Sequence, residues 1–399
     1  MKIISKSGTL IIKISLCLSL LLNFSGCWNK REVEDLAIVV GIGIDRAETP
    51  GNILFTAQIV NPSQAGKTGT ETAGGRTGEN KGFWNVHTIK PTVFDAVRDV
   101  TTQTGKKLYV AHNQIIIFGS DIAKEGVQKY LDFFMRAHEI RPNNLVLVAR
   151  GTAREVMEVK PEVGKLPAMN IAQMVEAYGL TSHLLKVNLQ DFAVRLMMSK
   201  IKTPVAPLVG IKSLAGNRDI FVSGLAVFKK DQMVGILNQR ETRGLLWVTG
   251  QVQSGIINVP TPGGKGKAAL EIIRSKSKTT PEIRDAFIRM KVEINEEANL
   301  VEQSTSTNLA TVTGLRALAE KQAKEIGREI RQSFAKSKTL NCDIFGFGGL
   351  AGRKYPGRRK LFQAKWDNLY PEIKLELKVK TRIRQTDLIT RPVAPEEGV

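Results

Sequence analysis

The hydrophobic pattern opens with an isolated apolar run, Ile14 to Leu22, behind Lys2, Lys6 and Lys13 and without an acidic residue near it. The run is short for a membrane-spanning helix, which needs about 20 residues. Its basic flank and small-residue end, Ser25-Gly26, predict a secretory signal peptide over residues 1–26. Glu32 to Leu36 predicts a short helix, and "LAIVVGIGID" (36–45), nearly continuous in branched residues, a buried strand. A Pro50-Gly51 turn leads into a second strand, "NILFTAQIVNP". Residues 63–82 have no apolar period and many glycines, the pattern of a mobile loop.

Order returns at "TVFDAVRDVTTQT" (92–104), where Val93, Ala96, Val97 and Val100 recur at helical spacing. A strand over 113–119, a helix over 121–139 capped by Asp121, and a strand over 143–151 complete an α/β alternation. Residues 152–200 read as mainly helical, interrupted by Pro161 and Pro167, and "KTPVAPLVG" (202–210), with two prolines, as a linker. The chain thus divides into an N-terminal region, 27–201, a linker, 202–212, a C-terminal domain, 213–390, and a tail, 391–399.

The C-terminal half has a different texture. "DIFVSGLAVFKKDQMVGIL" predicts two strands turning at Lys230-Asp231, "ETRGLLWVTG" a short helix, and "QVQSGIINVPTPGGKGKAALEIIRSKSK" strands around a Gly-rich turn. Two segments alternate strictly. Ala286, Ile288, Met290, Val292 and Ile294 share one face against Arg289, Lys291 and Glu293, and Ile373, Leu375, Leu377, Val379 and Ile383 share one face against Lys374, Lys378, Lys380, Arg382 and Arg384. Period two with one wet face means a half-covered sheet, antiparallel in part. Between them, 312–338 is the longest helix, with Leu315, Leu318, Ala319, Gln322, Ile326, Ile330 and Phe334 as its stripe. A helix laid across an open sheet is the simplest arrangement, and no internal repeat survives counting.

Composition adds charge to this picture. The formal net charge is +20, and removing the leader with its three lysines leaves +17 on a chain long enough for two or three domains. Export separates such a body from cytoplasmic nucleic acid, so an anionic lipid surface is the expected partner, at about 1 kcal/mol per basic residue lying close to headgroups. The alternative is a merely solvated surface. The basic stretch 352–360, with Arg353, Lys354, Arg358, Arg359 and Lys360 around Pro356-Gly357, is the candidate surface for membrane or partner, a solvated turn being the alternative.

Catalytic signatures do not accumulate. His87, His112, His138 and His183 lie far apart and none has a Cys or His at ligand spacing, so no metal is expected. Ser199-x-x-Lys202, Ser275-x-x-Lys278 and Ser333-x-x-Lys336 imitate a serine acyl-transferase motif, but the partner triplet Lys67-Thr68-Gly69 precedes them all, the wrong order. Gly41-Ile42-Gly43 lacks the third glycine and the following helix of a dinucleotide site. No enzyme and no cofactor are expected. Cys17 leaves with the leader, and Cys342, in apolar surroundings, reads as a small buried residue.

Cys27 directly after Ser25-Gly26 resembles a bacterial lipobox, with Phe24 where such motifs usually carry Leu. That resemblance implies cleavage before Cys27 and a diacylglycerol on its thiol, two chains giving a stable anchor where one is marginal. "GCWNKREVEDLAIVVGIGID" further resembles the mature start of the Ger(x)C lipoproteins, with Trp28, Glu32, Leu36, Gly43 and Asp45 in the family's places. "LYVAHNQIIIFGSDIAKEGVQKYLDFFMRAHEIRPN", with His112, Arg136, Glu139 and Arg141, "VSGLAVFKKDQMVGIL", "ETRGLLWVTG" and "CDIFGFGGLAGRKYP" are similar to later family segments. The departures are Ala111, where the family often has Gly, and the looser "GRRKLFQAKWDNLYP".

The resemblance implies a non-enzymatic C subunit of a nutrient germinant receptor. It would lie on the outer face of the inner spore membrane beside membrane-spanning A and B subunits, in an α+β fold of mixed sheets flanked by helices, with about three domains. A solute-binding lipoprotein serving a transporter is the competing class, and an envelope enzyme the third.

Overall fold

The computed structural model describes residues 35–60, 82–160, 166–198, 201–214, 216–264, 266–284 and 287–386, with a few positions between 8 and 15. Most of the leader, Cys27, all but the last residue of the 63–82 loop and the 391–399 tail lie outside the described residues. The first half runs β1 (Leu36–Arg46), β2 (Ile53–Val60), β3 (Phe83–Lys90), α1 (Val93–Thr104), β4 (Lys107–Tyr109), β5 (Ile115–Phe118), α2 (Ser120–Glu125), α3 (Gln128–Arg136) and β6 (Leu145–Ala149). It continues through α4 (Ala153–Glu158), α5 (Pro167–Glu176), α6 (Tyr178–Thr181) and α7 (Leu189–Met197). Strands β7 (Val205–Leu214), β8 (Asn217–Lys229) and β9 (Gln232–Leu237) then close a nine-stranded sheet in the order β3-β2-β1-β5-β6-β7-β8-β9, with β4 beside the start of β1.

The centre of that sheet, β1-β5-β6-β7, is parallel and its flanks are antiparallel. Parallel strands are covered on both faces, which is why "IIIF" and "LVLVA" are buried throughout rather than alternating. Ile116, Phe118, Val146 and Val148 point into one core, and Ile115, Ile117, Leu145 and Leu147 into another under α4 and α5. Gly41 and Gly43 belong to this second face. A Cβ on Gly41 would stand 2.6 Å from the Ala168 Cβ, and one on Gly43 3.0 Å from the Ala153 Cβ. The glycine pair therefore seats helices against the sheet.

Two expectations are corrected here. The 202–212 stretch is no linker: β7 pairs parallel with β6 and antiparallel with β8 inside the sheet. Pro207 is tolerated because it sits where the β7–β8 register shifts, between Pro207 and Val209, so its missing N–H interrupts an already irregular ladder. The helix over 121–139 is two helices, α2 and α3, divided at Gly126 (φ 129°), whose open Cβ position is taken by the Asp231 carboxylate. Asp121 does not cap it. The N-cap is Gly119, and Asp121 lies in the first turn, paired with Lys124 at 3.2 Å.

The second half comprises α8 (Gln239–Thr249), β10 (Ile256–Pro260), β11 (Lys267–Arg284), β12 (Phe287–Gln303), α9 (Val312–Thr339), α10 (Phe347–Lys354), α11 (Arg359–Leu369) and β13 (Lys374–Thr386). A four-stranded sheet, β10-β11-β12-β13, is antiparallel except for the parallel β12–β13 pair. Its inner face, with Ile288, Met290, Val292, Ile294 and Ile383, meets the stripe Leu318, Gln322, Ile326 and Ile330 of α9 in one buried cluster. The fold is α+β, two mixed sheets flanked by helices.

Candidate functional site

The basic stretch 352–360 is built on a buried carboxylate. Gly346 adopts φ 73°, which turns the chain into α10. Asp343 then accepts hydrogen bonds from the backbone N–H of Phe347 (2.9 Å) and Gly348 (2.7 Å) and from the Trp366 indole N–H (3.0 Å). Burial pushes its carboxyl up to about 6, although these three donors oppose the shift. Asp343 thereby fixes α10 against α11, and Gly348 lets them close, since a Cβ there would meet the Trp366 ring at 2.8 Å.

This frame separates the five cations read from the sequence. Lys354 donates to the Pro281 carbonyl at 2.7 Å and lies over the Tyr355 ring, so it ties α10 to β11. Arg353 and Arg359 come together at a cleft of about 260 Å³, lined also by Met198, Ile201, Gly348, Gly349, Gly352, Phe362 and Gln363. Arg358 and Lys360 are exposed and line no part of it. Sequence reasoning missed the other wall, Met198 and Ile201 at the end of α7, together with Lys202 and Arg195 nearby. These residues lie some 150 positions from Arg353 and share no local pattern with it. The only available signal was the apolar stripe Phe362, Trp366 and Tyr370 at four-residue intervals, which marks α11 as a packed helix.

A second polar cluster joins the two halves. Arg243 of α8 donates from Nε to Glu329 of α9 at 3.1 and 2.9 Å and makes a close Nη2 contact to the same carboxylate. Trp247 Nε1 donates to Glu329 at 2.9 Å, and Arg243 Nη1 donates to the Ile256 carbonyl and to His183 Nε2. Burial, then the Arg243 charge, holds the His183 imidazole below its usual range, consistent with a neutral acceptor. Gly244 permits the helix crossing: a Cβ there would stand 2.3 Å from the Glu329 carbonyl oxygen. The "ETRG" motif is thus a buried ion-pair joint.

The "GIGID" motif closes with an equivalent device. Asp45 accepts from the Ala153 and Arg154 N–H groups at 2.7 and 2.9 Å, capping α4 across the sheet. Among the described residues no cluster of three or more His, Cys, Asp or Glu side chains has metal-binding proximity, and no helix is long and apolar enough to cross a membrane.

Comparison with known proteins agrees with this construction. The family model described as "Spore germination protein N-terminal domain" matches residues 29–211, and that described as "Spore germination B3/ GerAC like, C-terminal" matches residues 223–387. Spore germination protein KC of Bacillus subtilis (strain 168) is 27% identical over 390 residues, covering 92% of this chain and 94% of the relative. Spore germination protein YndF of the same organism is 26% identical over 395 residues, covering 93% and 95%. The solved structure described as "Crystal Structure of the GerBC protein" superposes with a TM-score of 0.57 at 17% identity, covering 86% of this chain and 96% of that one.

Proposed function

The chain belongs to the GerAC family of spore germination proteins, and from that premise we propose that it is the lipid-anchored C subunit of a nutrient germinant receptor. The observation that carries the reading is that the two family domains match in order and together span most of the chain. In this reading Cys27 carries the lipid and holds the body at the outer face of the inner spore membrane. Membrane-spanning A and B subunits are its partners. Confinement to that layer raises the effective concentration of the subunits, which adds avidity without new contacts. The subunit supports assembly or signalling of the receptor and performs no chemistry of its own.

The charge distribution supports the orientation. On the open face of the four-stranded sheet, Lys276, Lys278, Lys378, Lys380 and Arg382 have no carboxylate at ion-pair distance among the described residues, whereas Arg274 and Arg384 both pair with Glu297 and Arg289 with Glu376. Arg358 and Lys360, on the turn into α11, are likewise without an ion-pair partner among the described residues. Such a face suits anionic headgroups or an acidic partner surface.

The test is recovery of the tagged protein from spore inner membranes in mild detergent. Two polytopic subunits should co-purify, and Cys27→Ala should abolish labelled fatty-acid incorporation while lowering receptor level and germination. Recovery with transporter subunits, or unchanged labelling of the Cys27→Ala protein, would refute the reading.

A further inference from the structure

The cleft between the end of α7 and the α10–α11 pair gathers positive charge without a directly paired carboxylate among the described residues. Arg353 and Arg359 line it directly. Lys202 is half-buried beside it, placed by the Thr203 N–H bond to the Asp343 carbonyl (2.9 Å) and by its stem, which would lie 3.4 Å from a Cβ on Gly346. Arg195, also half-buried, stands in the last turn of α7. None of the four has a carboxylate within ion-pair distance among the described residues. Two acids face the group without pairing with it: Asp343 serves the α10 N–H groups and the Trp366 indole, and Asp191, one turn back along α7, acts at longer range on Arg195 and Lys202. The Lys202 ammonium is held below its usual range by burial first and then by Arg195, and burial lowers the Arg195 guanidinium as well.

Arg353 and Arg359 stand exposed at the mouth of the cleft, and Lys202, half-buried behind them, feels the charge of both Arg195 and Arg353, so the group repels itself. An anion entering the cleft would relieve that repulsion. Two guanidinium forks suit the bidentate geometry of a carboxylate or phosphate. The remaining lining, Met198, Ile201, Phe362 and the bare glycine face of α10, is apolar. At about 260 Å³ the space falls below the ~300–1,000 Å³ of drug-sized sites. We propose that this cleft binds a small organic anion, its carboxylate or phosphate held by Arg353 and Arg359 and its apolar part resting on Met198, Ile201 and Phe362. The site joins the two family regions, so occupancy would stiffen the contact between α7 and α10. The inference stands apart from lipid anchoring and from any receptor partner.

The test is calorimetric titration of the full-length protein in a neutral detergent with hexanoate, hexyl phosphate, inorganic phosphate and hexanol at low salt. Hexanoate or hexyl phosphate should bind saturably, more tightly than hexanol or inorganic phosphate, and weaken as ionic strength rises. The double variant R353E/R359E should lose binding at least tenfold, R353Q/R359Q several-fold, and K360E, outside the cleft, should keep it; circular dichroism checks that each variant is folded. Equal binding of hexanol, equal loss in K360E, or saturation only by phosphatidylglycerol vesicles would overturn the assignment. The last result would make the anion a lipid headgroup at an exposed surface. Because all readouts are on the isolated protein, failure here leaves the receptor reading intact, and failure of that reading leaves this one to be decided.

Discussion

At the scale of single residues, one of the polar joints inside the protein makes stability depend on pH. Glu296 of β12 is buried against α9, where Gln322 Nε2 donates to its Oε1 at 3.2 Å while Glu296 Oε2 and the Gln322 carbonyl are left without partners. Burial pushes the Glu296 carboxyl up to about 8 from 4.5, with the Gln322 hydrogen bond opposing the shift and the Glu297 charge adding to it. A protonated Glu296 donates its hydroxyl to Gln322 and satisfies both orphaned atoms at once. Because the folded value lies above the unfolded one, this contribution is complete below about 4.5 and is lost as pH rises through about 8. Asp343, raised to about 6, acts in the same sense at lower pH, and the lowered histidines His87 and His183 act in the opposite sense up to their unfolded value of 6.5, so the comparison with Glu296→Gln over pH 6.5 to 8.5 separates the Glu296 contribution. Urea midpoints should fall across that interval in the native protein and stay nearly level in Glu296→Gln, which keeps a neutral partner for Gln322. A native midpoint that is flat or rises would contradict the assignment.

At the scale of elements, the same logic explains which parts of the fold the sequence displays. Strand β12 and helix α9 announce themselves because one face of each is wet, so period two and period 3.6 survive in the residue order. Strand β7 does not, since its prolines mimic a linker and only the β8 register shift, a tertiary feature, accommodates Pro207. The break between α2 and α3 depends on Asp231 arriving from the turn before β9, a hundred residues on, and β3 carries its alternation through polar residues. For the candidate site, the cations of 352–360 were legible as a charge run, whereas their division into tie, cleft and exposed face was not, because Met198, Ile201 and Lys202 meet them only in the folded chain. The α10 entry offers an element-scale prediction. Asp343→Asn retains the shape but offers one acceptor oxygen to three N–H donors, and in its better orientation still places an amide NH₂ against the Phe347 N–H. An unmatched buried donor costs about 1–3 kcal/mol. The variant should lose about that much in urea unfolding, with Trp366 fluorescence altered in the native baseline; an unchanged midpoint would show that Asp343 does not hold the α10–α11 pair.

At the scale of the whole molecule, the boundary between the two family regions is not a boundary in the core. The matches end at 211 and resume at 223, yet β7 and β8 pair across that interval, and the largest buried cluster runs from Ala37 of β1 to Ile383 of β13. Phe228 of β8 meets Phe192 of α7 edge to face at 5.2 Å, and its carbonyl accepts from the Cys342 thiol, whose burial raises it to about 11. His183 and Ser182, from the first region, reach Arg243 and the Ser254 carbonyl of the second. A fragment beginning at 213 would bare Leu225, Val227 and Phe228, each fully buried in the intact chain, at about 1.5–3 kcal/mol per large apolar side chain. It would also leave β8 without its antiparallel neighbour. The two regions should therefore unfold as one unit: far-UV circular dichroism, which sees both sheets, and tryptophan fluorescence, dominated by buried Trp247 and Trp366 of the second region, should give coincident urea transitions, and residues 213–399 alone should fail to fold. Two separated transitions, or a folded fragment, would mean that the shared core is an interface between independent domains. Coincident transitions, with a fragment that fails to fold, would mean that the shared core makes the two regions one cooperative unit.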